Sequence, residues 1–131
     1  MIYTSYFGKL KSLPKNIVPV AICGGLPEWY YGAWYKKLAP TWKIWKHWDE
    51  THDEIRYRET YFPIVLSKLN QDTVVQELNE FIRNYPLGTE IALICYEKPE
   101  NFCHRHLVAE WLQEAGYQVQ EYNWFLEKFL L

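Results

Sequence analysis

Residues Glu90-Ile91-Ala92-Leu93-Ile94-Cys95-Tyr96 decide how the rest of the chain is read. From Ile91 to Cys95 every side chain is apolar, so neither face of an extended strand is left for water. Such a run marks a strand buried on both sides, the central kind found in parallel sheets. A short loop over residues 97–102 follows, then a helix from about residue 103 to 115 that Gly116 ends. Residues 117–122 return as a strand. Strand, helix and strand with short connections form a βαβ unit, and its strands pair in parallel.

Upstream, Val74, Val75, Leu78, Phe81, Ile82 and Tyr85 fall on one arc of a helical wheel, with Asn70 or Asp72 as N-cap and Leu87-Gly88 as the stop. Ile17 to Cys23 is a second buried strand, weakened slightly by Pro19 and ended by Gly24-Gly25. Ile2 to Phe7 is rich in β-formers and aromatics, and reads as the first strand. Trp42, Trp45 and Trp48 recur every third residue, which places them on one side of a short helix. After Trp48 the pattern decays into a solvated turn over residues 49–54. Another helix runs from Glu54 to about Leu69, bent or split at Pro63. The expectation is a small, single-domain, three-layer α/β fold over residues 1–131 with a mostly parallel sheet. Residues 26–53 form its Trp- and Tyr-rich insertion or lid.

Composition narrows the class. At 131 residues the chain holds one hydrophobic core, and 49% apolar with 23% charged residues excludes disorder. Seven Trp and eleven Tyr exceed what such a core needs, so some rings belong to a groove, a ligand site or a subunit contact of a homo-oligomer. No run is long enough to span a membrane, and no signal segment opens the chain. Three cysteines without an export signal predict free thiols and a cytoplasmic protein. A net charge of −2 argues against non-specific duplex binding, and leaves small anionic ligands open.

Ligands of open α/β sheets bind beyond the carboxyl ends of the strands. Cys23 ends one buried strand, Cys95 nearly ends another and Cys103 begins the next helix, so all three thiols meet at that edge. On the helix wheel His104 projects onto the buried arc, His106 faces solvent, and Cys103 and Arg105 flank the arc. His104 is then either a core histidine bonded to a carbonyl or a proton carrier. Arg105, beside the unpaired N–H groups of the helix start, suits an anion, or else pairs with Glu97 or Glu100 across the loop. Cys103 sits where thiol pKa values fall, while Cys95 reads as a packed, inert thiol. A phosphatase-like loop is excluded, because the connection is too long, holds two glutamates and lacks glycine. Cys95, Cys103 and a histidine have the donor chemistry for a metal, yet no C-x-x-C or H-x-x-x-H pair supports one, so no metal ligand is assigned and the cofactor stays unknown. Lys36, Lys37, Lys43 and Lys46 alternate with Trp and Tyr, which suits single-stranded nucleic acid or free bases. Asp49, Glu50, Asp53 and Glu54 cancel that charge locally.

The run Cys95-Tyr96-Glu97-Lys98, then Cys103-His104-Arg105 and Leu107-Val108-Ala109, resembles the signature of the domain of unknown function 488 family. The likeness is most specific over residues 91–116 and extends through Tyr35-Lys36-Lys37-Leu38-Ala39-Pro40. Ser5-Tyr6-Phe7 and Ile22-Cys23-Gly24 stand where many members have Gly-Tyr-Ser and Asp-Val-Arg, so no role of that Asp or Arg carries over. The resemblance implies a small α/β fold and points to Cys95, Glu97, Cys103, His104 and Arg105, without supplying an activity.

Taken together, these readings predict an enzyme acting on a small anionic or nucleotide-like ligand. Cys103, His104 and Glu97 are its catalytic candidates, and Arg105, Cys95, Tyr6, Trp34 and Tyr35 its ligand-binding candidates. The rival expectation is a non-catalytic module that docks a protein or single-stranded nucleic acid on its Trp-rich surface.

Overall fold

The computed structural model describes residues 1–123. Among them lie five strands: β1 (Ile2–Tyr6), β2 (Ile17–Ala21), β3 (Ala33–Trp34), β4 (Glu90–Cys95) and β5 (Val119–Glu121). They form one parallel sheet in the order β3-β2-β4-β1-β5. The doubly apolar run is central, as expected, with Ala92, Leu93 and Ile94 fully buried. Register brings the strand ends level: Tyr6 lies beside Cys95, and both Ser5 and Ala21 lie beside Ile94. Burying each large side chain of such a strand contributes about 1.5–3 kcal/mol. Pro19 costs β2 little, because β3 begins to pair only at Val20 and the Pro19 carbonyl accepts a bond from the Tyr30 hydroxyl at 3.3 Å.

The helices are α1 (Trp42–Thr51), α2 (Glu54–Ile64), α3 (Gln71–Glu80) and α4 (His104–Glu114). The larger core lies between them and one sheet face, where Val18, Val20, Ile91 and Leu93 meet Tyr61, Leu78, Val108 and Leu112. The opposite layer is thinner: Phe7, Leu10, Leu13, Leu26 and Tyr30 cover Tyr3, Ala21, Ala92 and Ile94. Three expectations shift in detail: α3 stops at Glu80 and Phe81–Asn84 forms a 3-10 turn, short of the expected stop at Leu87-Gly88. Helix α1 continues through Thr51, so the turn after Trp48 shrinks to the left-handed His52 (φ 54°) and Asp53. Pro63 ends α2 one residue later, and residues 66–68 make a separate 3-10 turn. Gly116, at φ +92°, makes the left-handed turn out of α4 that a side chain resists.

The helix starts differ in one respect that matters for function. Thr41, Asp53 and Asn70 cap α1, α2 and α3 by accepting from the N–H of Ile44, Arg56 and Thr73 at 3.3, 3.0 and 3.0 Å. Each such oxygen cap contributes about 1 kcal/mol. At α4 the capping position is Cys103, which makes no side-chain cap bond. A helix start that forgoes its usual cap leaves that side chain free for another use.

Candidate functional site

Helix α4 begins against the carboxyl edge of the sheet, and its first residues turn back toward the end of β4. The ligand atoms of Cys95, Cys103 and His104 all lie within 4.8 Å of one another, and all three residues are buried. His104 Nε2 is 2.7 Å from the carbonyl oxygen of Ile22. A carbonyl only accepts, so Nε2 carries the proton and, in the neutral ring, Nδ1 presents its lone pair. That lone pair faces Cys95 Sγ at 3.6 Å. The imidazole edge packs on Tyr61 at 5.7 Å between centroids, and the Tyr61 hydroxyl donates to Leu38 O at 2.5 Å. The core-histidine bond to a carbonyl and an available nitrogen thus coexist in one ring.

The two thiols are electrostatically unequal. Cys103 is held well below the ordinary thiol value of 9.0, chiefly by the hydrogen bond from Cys95; burial opposes this, while His104 and Arg105 add to it. Cys95 is pushed well above that value by its bond to Cys103 and by burial. The two thiols are thus biased in opposite directions by their mutual contact, with Cys103 the more acidic of the pair. Cys23, also at this edge, donates through its thiol to Gly25 O at 3.0 Å, and burial raises it to about 11.

A cavity of about 620 Å³ opens onto this centre. Cys23, Cys95, Cys103 and His104 line it together with Trp42, Trp45, Trp48 and Lys36, and Glu97 is exposed among the lining residues. The Tyr96 hydroxyl donates to Gly25 O at 2.8 Å and ties the end of β4 to the Gly24-Gly25 loop. Trp48 packs on Phe102 at 4.7 Å and on Tyr57 at 6.2 Å, which makes it structural, whereas Trp42 and Trp45 are exposed. Cys95, Cys103, His104 and Glu97 thus come together as the sequence suggested.

The other candidates stand elsewhere. Arg105 is fully buried; its Nε and Nη2 each donate to the Glu121 carboxylate at 3.1 Å, and Nη1 donates to Glu97 O at 2.5 Å. Its guanidinium is thus engaged by the protein, and it is Glu97's backbone, together with a carboxylate from β5, that holds it. Tyr6 lies under that guanidinium at 5.8 Å and does not line the cavity. Trp34 and Tyr35 leave the short strand β3 in opposite directions. Trp34 donates through its indole N–H to Cys23 O at 2.8 Å on the outer side, and Tyr35 turns into the core against Phe81. His106 is half-buried rather than solvent-facing, with Nε2 shielded.

Glu121 escaped the sequence reading, although a helix-start arginine at a sheet edge requires a carboxylate partner. Thr4 Oγ1 donates to the same carboxylate at 2.6 Å. Lys36, Trp42 and Trp45 belong to the predicted aromatic segment, yet only folding showed that they line the same cavity as the cysteines.

In donor chemistry the Cys95, Cys103 and His104 set could hold a soft divalent metal. Among the described residues, no helix is long and apolar enough to cross a membrane. No curated protein and no solved structure shows a significant match to the chain. Residues 9–116, most of the chain, match the Active DUF488-N3 subclade. The chain therefore belongs to the domain of unknown function 488 family.

Proposed function

We propose that the chain is an enzyme acting on a small anionic, ring-bearing ligand of nucleotide-like chemistry, with the Cys95, Cys103 and His104 cluster as its reactive centre. One observation carries this reading: a buried cluster of two cysteines and a histidine lines the same cavity as three tryptophans. Trp42 and Trp45 offer faces on which a heterocycle stacks. Lys36, which lines the cavity, supplies the attraction for an anionic group, in place of the engaged Arg105. Glu97, exposed at the cavity, moves protons between ligand and solvent. Residues 26–53 serve as the lid that carries the aromatic wall. The description of the matched subclade as active accords with an enzyme.

The test is a tryptophan-fluorescence titration of the purified protein with a panel of nucleoside monophosphates. Saturable quenching that weakens in Lys36→Ala and in Trp42→Ala supports the reading; no response at millimolar nucleotide removes it. The rival, a partner-docking module, draws on the exposure of Trp42, Trp45, Ile55 and Phe62 along α1 and α2. It predicts that Trp42→Ala and Trp45→Ala abolish function while Cys103→Ser does not.

A further inference from the structure

We infer that Cys95 Sγ, Cys103 Sγ and His104 Nδ1 form a binding site for one zinc-class divalent cation, with a fourth coordination position open to the cavity. The first support is metrical. Tetrahedral zinc with Zn–S of about 2.3 Å and Zn–N of about 2.0–2.1 Å sets ligand sulfur and nitrogen about 3.6 Å apart. Cys95 Sγ and His104 Nδ1 are 3.6 Å apart, and Cys103 Sγ lies within 4.8 Å of both, so a small rotation closes the triangle.

The second support is the ring's orientation. A metal-binding histidine is commonly held by a bond from its other nitrogen to a carbonyl or carboxylate, which fixes the tautomer and aims the free lone pair. Here Nε2 makes that bond to Ile22 O at 2.7 Å. A thiol–imidazole hydrogen bond also spans 3.6 Å, and the metal titration below separates the two arrangements.

The third support is burial together with charge. Cys95, Cys103 and His104 are 6%, 4% and 5% exposed, so three soft donors converge where protein rather than water surrounds them. The nearest guanidinium, Arg105, is already paired with Glu121. A divalent cation with two thiolates and a neutral imidazole makes a centre of zero net charge, and the thiols lose their protons to solvent as the metal binds.

Three protein ligands and one open position are the arrangement of catalytic rather than structural zinc. This inference rests on the ligand reading above only in what fills that fourth position. Cys103 and His104 then act as ligands, and Glu97 remains as the proton carrier beside a metal-bound water.

Cobalt(II) and zinc(II) serve as probes on the full chain, reduced and handled anaerobically. One equivalent of cobalt should produce a thiolate-to-cobalt charge-transfer band with tetrahedral visible absorption, and one equivalent of zinc should displace it. Cys95→Ser and Cys103→Ser should each lose the band, while Cys23→Ser keeps it. A variant that fails to fold is replaced by a measurement on the wild type: zinc should protect Cys95 and Cys103 from iodoacetamide, located by peptide mass spectrometry. No band together with unprotected thiols in folded protein overturns the site, as does a band that survives Cys95→Ser. Nucleoside monophosphate titration of the same metal-free and zinc-loaded samples separates the two readings. Nucleotide binding without zinc binding overturns the metal site alone, and zinc binding without nucleotide binding overturns the ligand reading alone.

Discussion

Arg105 and Glu121 clasp each other through two 3.1 Å hydrogen bonds, and the arginine end of the pair is fully buried. The pair joins the start of α4 to β5, while Thr4 of β1 binds the same carboxylate. Removing one partner of such a pair leaves a buried charge without compensation, which costs about 3–5 kcal/mol. Glu121→Ala, which strands the buried guanidinium, should fall in that range by urea unfolding, and Arg105→Ala should cost less because the Glu121 side chain is 24% exposed. A double variant less destabilised than the sum of the two would confirm that they act as a unit.

The Ile22–His104 bond gives a second prediction. His104→Phe keeps the ring packed on Tyr61 but strands the Ile22 carbonyl and the Cys95 thiol. A buried acceptor without a partner costs about 1–3 kcal/mol, so thermal unfolding should show a lower Tm with the fold intact by circular dichroism.

The tryptophans should divide by burial. Trp48→Ala removes a ring packed on Phe102 and Tyr57 and should destabilise by about 3 kcal/mol, at the lower end for such truncations. Trp42→Ala and Trp45→Ala remove exposed rings and should stay within about 0.5 kcal/mol of wild type in chemical denaturation.

Alkaline pH should weaken the fold through groups outside the reactive centre. Burial raises Cys23 from 9.0 to about 11 and, with the Glu77 charge adding, Tyr35 from 10.0 to about 12. Each holds its proton more tightly folded than unfolded. Their contribution is therefore complete below pH 9 and is lost as pH rises toward 11 and 12. Urea midpoints measured from pH 8 to 11 should decline, and Cys23→Ser should flatten the earlier part of the decline. Iodoacetamide at pH 8 should leave Cys23 unmodified in folded protein and modify it in urea.

Much of this architecture was legible because it depends on local pattern. The uninterrupted run Ile91–Cys95 could only be a strand covered on both faces, and the apolar arc from Val74 to Leu78 a helix lying on one, while Phe81 to Asn84 tightens into a 3-10 turn. Asn70, one of the two N-cap candidates with Asp72, starts α3, and Gly116 ends α4 as expected. Pro63 broke α2 close to where its missing N–H demands. The meeting of Cys95, Cys103 and His104 was within reach too, because a loop of eight residues returns the chain from the end of β4 to the start of α4.

What the sequence could not settle were choices made between distant segments. Whether Arg105 held a ligand or a carboxylate depended on Glu121, which reaches it only because β4 and β5 both pair with β1. Trp34 and Tyr35 are adjacent and both aromatic, yet Trp34 ends β3 facing outward while Tyr35, just beyond it, turns into the core. Ile22 contributes through its carbonyl, which no side-chain pattern reveals. The sequence by itself determined which segments would be strands and helices and which residues carried reactive chemistry, because hydrophobic period and capping act within a few residues. Tertiary structure alone decided which of those residues share a cavity and which are spent on one another, because ion pairs and cavity walls form only where packing brings remote backbone together.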